Sequence, residues 1–266
     1  MPGKARHGGG QPKVRGIDLD LDRIRPHLTI GEVYGDARRI YRLLLRRTIA
    51  TGAVVFGLVA LVDVARDHTP GRGAAIGFGI LGFVLDWGAP VFVQGALIEI
   101  VRNVHEGRAA KPIGALYGKA GRRFWPLFWA SIVYSLGVSF GLLLLIVPGL
   151  LAASRWSLMA PFVVLEGEGA GVALDRSRAT VLGRTREVMW IVVATFLLFS
   201  GTSALIVYFV LPGGATSSIL FSFVWSSLTA PFEAHVLSVL YYRLSDPERP
   251  VIHEDVARWR SVWAGA

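Results

Sequence analysis

Apolar residues along this chain gather in long blocks, separated by short polar segments that are mostly basic. A hydrocarbon core of about 30 Å takes about 20 helical residues. The blocks predict spans at 48–65, 74–101, 124–147, 148–166, 188–211 and 216–241. The third and fourth run together, and Val147-Pro148-Gly149 predicts a tight reversal between them, because proline removes a helix donor and glycine tolerates a turn. The block at 148–166 is the weakest, being short and holding Arg155 and Pro161. If it only dips into the bilayer, the count falls to five and the C-terminus changes side.

A second pattern lies ahead of each odd span, where a Gly-led basic segment has helical periodicity: 31–47, 114–123 and 171–186. Val33, Ala37, Ile40 and Leu44 share one helical face of the first, with Arg38, Arg39, Arg42 and Arg46 elsewhere. Leu116, Ala120 and Phe124 make a face in the second, and Leu174, Val181 and Val188 in the third. The dipeptide Ala-Pro falls inside each even span, at 89–90, 160–161 and 230–231, separations of 71 and 70 residues. Three copies of one unit are expected: an interfacial amphipathic helix, an outward span and a proline-kinked return span.

Composition supports lipid as the solvent. Hydrophobic residues make up 53% and charged residues 18%, where a soluble domain has about 25% charged. Cysteine is absent, which excludes disulfides and thiolate metal sites. The net charge of +9 is distributed unevenly. In the six-span topology 25 Lys and Arg fall on the side of the termini and two, Arg66 and Arg72, on the other. That bias places both termini in the cytoplasm, with a basic tail over 1–27, the membrane domain over 28–243 and a C-terminal tail over 244–266 that carries Trp259 and Trp263. No nucleic-acid partner is expected, since the charge is spread over membrane-proximal segments.

The stretch 148–184 carries Pro148-Gly149-Leu150, Arg155-Trp156-Ser157-Leu158, Pro161, Glu166, Ala173-Leu174, Arg176-Ser177 and Gly183. It resembles the membrane domain fused to some glycerophosphodiester phosphodiesterases and the related YciC-type inner-membrane proteins of bacteria. The resemblance implies a six-helix membrane module. It does not imply phosphodiesterase activity, which belongs to a separate soluble domain, and no catalytic residues carry over.

Three motifs imitate catalytic signatures. Gly77-Phe78-Gly79-Ile80-Leu81-Gly82 fits a dinucleotide fingerprint but sits inside a span, where small residues serve helix packing. Gly114-Ala115-Leu116-Tyr117-Gly118-Lys119-Ala120 is one residue short of a phosphate loop and lacks the hydroxyl that holds magnesium. Gly137-Val138-Ser139-Phe140-Gly141 fits a serine-nucleophile elbow, and an intramembrane hydrolase would need Ser139 within reach of His235.

Ionisable residues within spans carry more information, because charge at depth is expensive. Asp86, Arg155, Glu233 and His235 form that set, and Arg155 is expected to pair with Asp86 or Glu233 as a register-fixing ion pair, to line a polar path with them, or to snorkel toward the outer surface. Anionic headgroups on the cytoplasmic face are the expected partner of Arg38, Arg39, Arg42, Arg46, Arg47, Lys119, Arg122, Arg123, Arg176, Arg178, Arg184 and Arg186. The sequence therefore reads as an all-α polytopic bundle in the inner membrane, a lipid-contacting or partner-organising module without enzyme activity, metal or cofactor. The alternatives are a transporter or channel using the four intramembrane residues and, more remotely, a serine hydrolase.

Overall fold

The computed structural model describes residues 28–69, 71–108, 112–210 and 214–247. The tail over 1–27 and the segment with Trp259 and Trp263 lie outside the described residues. Those described form a bundle of helices with no strand. In chain order they are α1 (Ile30–His68), α2 (Arg72–His105), α3 (Ile113–Leu144), α4 (Ile146–Arg155), α5 (Ala170–Val181), α6 (Thr185–Phe196), α7 (Thr202–Phe209) and α8 (Ala215–Ser245). A single turn, Met159–Pro161, and a π-helical turn, Phe162–Glu166, follow α4, and a second π-helical turn, Leu197–Gly201, joins α6 to α7.

Five stretches are long and apolar enough to cross a membrane: Ile30–His68, Ile76–His105, Ile113–Leu144, Ile146–Glu166 and Thr185–Phe209. The protein is a helical membrane protein. The block expected to be weakest, 148–166, is among the five, whereas α8 is not. At 31 residues α8 has ample length. Its hydroxyls, with Glu233 and His235, make it more polar than the others. Many of those hydroxyls turn back onto the helix: Ser227 donates to the Phe223 carbonyl at 2.7 Å, Thr229 to Trp225 at 2.9 Å and Ser238 to Ala234 at 2.7 Å. Such bonds satisfy a polar group without water.

The three basic segments join the helices that follow them in two ways. In the first unit, segment and span belong to one 39-residue helix, α1, about 58 Å long at 1.5 Å per residue. Thr29 starts it, accepting a hydrogen bond at 3.3 Å from the backbone N–H of Glu32. The second unit is likewise continuous in α3. The third breaks between α5 and α6, where Gly183 adopts φ +90°. In all three the apolar face is buried within the bundle: Val33, Ala37 and Ile40, then Leu116 and Ala120, then Leu174, Val181 and Val188.

The reversal between α3 and α4 occurs at Leu145, which is extended at φ −162°, rather than at 147–149. Pro148 instead lies in the first turn of α4, where its missing N–H has no helical partner to lose. Two glycines let the hairpin close. A Cβ on Gly141 would lie 2.7 Å from the Cα of Gly149, and one on Gly149 would lie 2.6 Å from the backbone N of Leu142.

The packing is uneven along the bundle axis. Val33, Ile40, Leu97, Ile100, Leu116, Leu127, Phe162, Val239 and Leu240 make a dense core toward the end that carries the basic segments. Toward the other end Leu61, Ile80, Leu143, Phe196 and Leu220 are exposed, an apolar girdle for lipid. The core end is also where the chain closes on itself. Arg243, at the end of α8, binds Asp36 at 2.6 Å and Glu32 at 3.1 Å at the start of α1. Tyr242 stacks on His105 at the end of α2 with ring centroids 3.8 Å apart.

Candidate functional site

The four intramembrane residues do not meet in one place. Asp86 faces a cleft of about 320 Å³ between α1, α2 and α8, with Asp63, Ser222 and Ser226 in the same wall. Glu233 lines a larger cleft of about 960 Å³ with Ser200, Ser203, Tyr208 and Thr229. The two adjoin, since Phe56, Pro90 and Ser226 belong to both. Asp63 was legible as a charge inside the first span, yet the expected set omits it. It pairs with Arg66 at 3.5 Å, one helical turn along α1.

Arg155 makes neither expected ion pair, and its Nε is buried without a hydrogen-bond partner among the described residues. Its depth in the sequence suggested a carboxylate neighbour, but α4 packs against α5 and α6, while Asp86 and Glu233 sit on α2 and α8. His235 is fully buried in the core. Neither of its ring nitrogens has a hydrogen-bond partner among the described residues, and its ring lies edge-on to Tyr41 at 6.3 Å.

Only some of the motif glycines meet a neighbour, and the helix-packing use expected of 77–82 is found at Gly82 alone. Of the fingerprint at 77–82, only Gly82 is closely approached: a Cβ there would lie 3.5 Å from Arg66 Nη1, while Gly77 and Gly79 have nothing within 4 Å. Gly137 lies under the Trp156 ring and Gly141 against Gly149. Ser139, between them, is exposed, and the buried His235 receives no hydrogen bond from it. The structure does not bring the two together.

The basic residues form a rim around the core end. Arg38, Arg39, Arg42 and Arg46 are exposed along α1, Arg122 and Arg123 on α3, Arg178 on α5 and Arg186 on α6. Arg47 and Arg184 are half-buried. Several cations of the expected set are engaged, Arg39 with Asp36 at 4.0 Å among them. Lys119 pairs with Glu99, a carboxylate only 3% exposed, which Arg102 also approaches at 3.6 Å. Arg123 donates to the Gly167 carbonyl at 2.8 Å. Arg176 pairs with Glu166 and with Glu168 at 2.9 Å and stacks over Phe162 at 5.1 Å. The hydrogen bond to Glu168, with Glu166 beside it, holds the Arg176 guanidinium above its usual pKa.

Arg38, Arg42, Arg46, Arg122, Arg178 and Arg186 have no ion pair among the described residues. An amphipathic helix needs its apolar face in lipid to lie on a membrane by itself. Here that face is taken up by the bundle, so the helix is held in place and its arginines are left to solvent or headgroups. Sequence reasoning missed Glu99, Arg102 and Glu166 as members of this rim. Only the packing of α2 against α3 and the π-helical turn gathers them. No family model, no curated protein and no solved structure matches this chain.

Proposed function

We propose that the protein is a non-enzymatic module of a bacterial inner membrane whose basic rim faces the cytoplasm and contacts anionic lipid, serving to organise the bilayer or partners around it. The observation that carries this reading is the set of unpaired arginines on helices whose apolar faces are already buried. Each exposed cation near a surface gains about 1 kcal/mol from anionic headgroups. The tie between Arg243 and the start of α1 supports an even number of crossings between them, the topology in which α8 is a span and ends on the side where α1 begins. The 148–184 stretch, which resembles the membrane domain of glycerophosphodiester phosphodiesterase relatives, is compatible with such a module.

Tryptophan quenching by brominated lipid tests this reading, because Trp125 and Trp190 are exposed near the rim. Brominated phosphatidylglycerol is expected to quench more than brominated phosphatidylcholine in the reconstituted protein. The triple variant Arg38→Gln, Arg42→Gln, Arg46→Gln is expected to lose most of that preference, about fivefold per charge at about 1 kcal/mol each. Equal quenching by both lipids in the unaltered protein would remove the lipid reading.

The adjoining clefts favour a second reading, transport of a cationic or polar solute. Asp63, Asp86 and Glu233 put three carboxylates among serines in walls that otherwise face lipid.

A further inference from the structure

At the core end, α2, α3 and the π-helical turn enclose a pocket of about 460 Å³, a size within the ordinary range for small-ligand sites. Its walls bring together Arg102, Lys119, Arg122 and Arg123 with only Glu99 and Glu166 opposing them. We infer that this pocket binds a phosphate monoester at the level of the lipid headgroups, of the kind phosphatidic acid carries. The inference rests on the lipid-contact reading of the rim and narrows it to one headgroup chemistry.

Three features support the choice of ligand. The first is charge. Four cations against two carboxylates leave two positive charges, a match for a monoester of about −1.5 to −2 rather than for a phosphodiester of about −1. Both carboxylates are also engaged already: Glu99 holds Lys119 and Arg102, while Glu166 holds Arg176 and accepts from the Tyr241 hydroxyl at 2.7 Å.

The second is rigidity. Arg123 is fixed by its bond to the Gly167 carbonyl, at a residue with φ +80° that only glycine adopts readily. A Cβ there would run into the Arg123 guanidinium. Arg102 is braced by Glu106 at 3.1 Å. Donors set in place before the ligand arrives lose less freedom on binding. Arg122 is exposed and has no partner among the described residues, so it has donors to offer an incoming phosphate.

The third is depth. Trp125 and Trp129 follow on α3, 63% and 56% exposed, and exposed tryptophans mark the interface between headgroups and chains. The pocket therefore opens where a lipid phosphate lies.

The test uses the full chain reconstituted in phosphatidylcholine vesicles containing brominated phosphatidic acid, or brominated phosphatidylglycerol at a mole fraction giving the same total charge. Phosphatidic acid is expected to quench the tryptophans with about tenfold higher relative affinity, the effect of one charge-assisted hydrogen bond. Arg122→Gln, a change at an exposed and unpaired side chain, is expected to bring the two lipids level. The rim variant Arg38→Gln, Arg42→Gln, Arg46→Gln should lower both affinities and keep their ratio. Millimolar glycerol 3-phosphate in a parallel arm separates the sources: displacement of phosphatidic acid by it assigns the pocket to soluble phosphomonoesters as well, and no displacement assigns it to the lipid. Equal affinity for the two lipids in the unaltered protein, or a preference untouched by Arg122→Gln, overturns the pocket. In both cases a remaining preference for anionic over neutral lipid would leave the rim reading in place.

Discussion

Replacing Gly149 by alanine is expected to lower the stability of the protein in detergent by about 1–3 kcal/mol, the usual cost of forcing extra volume into a packed contact. The new methyl would fall 2.6 Å from the backbone nitrogen of Leu142 and 2.5 Å from its Cγ. A side chain can rotate away, but backbone cannot, so α3 and α4 would have to part. Gly141→Ala should behave alike, because its Cβ would meet the Cα of Gly149 at 2.7 Å. Gly118→Ala supplies the contrast: it also lies in α3 but has nothing within 4 Å, and alanine is the better helix former by about 0.8–1.0 kcal/mol. Thermal melting followed by circular dichroism should rank the variants accordingly. If all three melt together, the hairpin is not closed as described.

The second large effect is expected at Ser177. Its hydroxyl accepts from the backbone N–H of Leu158 at 3.0 Å and donates to the Arg155 carbonyl at 2.8 Å. Those two backbone groups flank the interruption between α4 and the turn at Met159–Pro161, so a side chain from α5 replaces the bonds that the broken helix lacks. Ser177→Ala leaves both groups unsatisfied in a buried place, at about 1–3 kcal/mol for each lost partner. A fall of about 2 kcal/mol or more in unfolding free energy is expected. Ser131→Ala should cost little, since the Ser131 hydroxyl only adds a second bond to the Leu127 carbonyl inside α3. Equal losses at the two positions would mean that Ser177 does not stitch the break.

The candidate site was legible in part. The periodic apolar positions of the three basic segments are buried where the helical spacing put them, because amphipathicity is a local property of one helix. Most of the arginines at the remaining positions are accordingly exposed, with Arg47 and Arg184 half-buried. Arg155 shows the opposite case. Its place inside a span was plain, but a partner depends on which helices become neighbours, and among the described residues neither Asp175 of α5 nor Glu187 of α6 forms an ion pair with it. Asp63 and Asp86 are 23 positions apart in the chain, and only the packing of α1 against α2 puts them in one cleft. For the same reason only the assembled core end brings Glu99 and Glu166 into one pocket.

By itself the sequence determined that the chain is helical and suited to lipid, and which face of each basic segment is apolar. These follow from composition and from a period of 3.6, both carried by stretches shorter than one helix. Tertiary structure alone decided that α3 turns back at Leu145, that the motif glycines at 137 and 141 serve contacts with Trp156 and Gly149, and that four cations surround one pocket. Those outcomes depend on distances between residues far apart in the chain, and such distances are set when the helices pack.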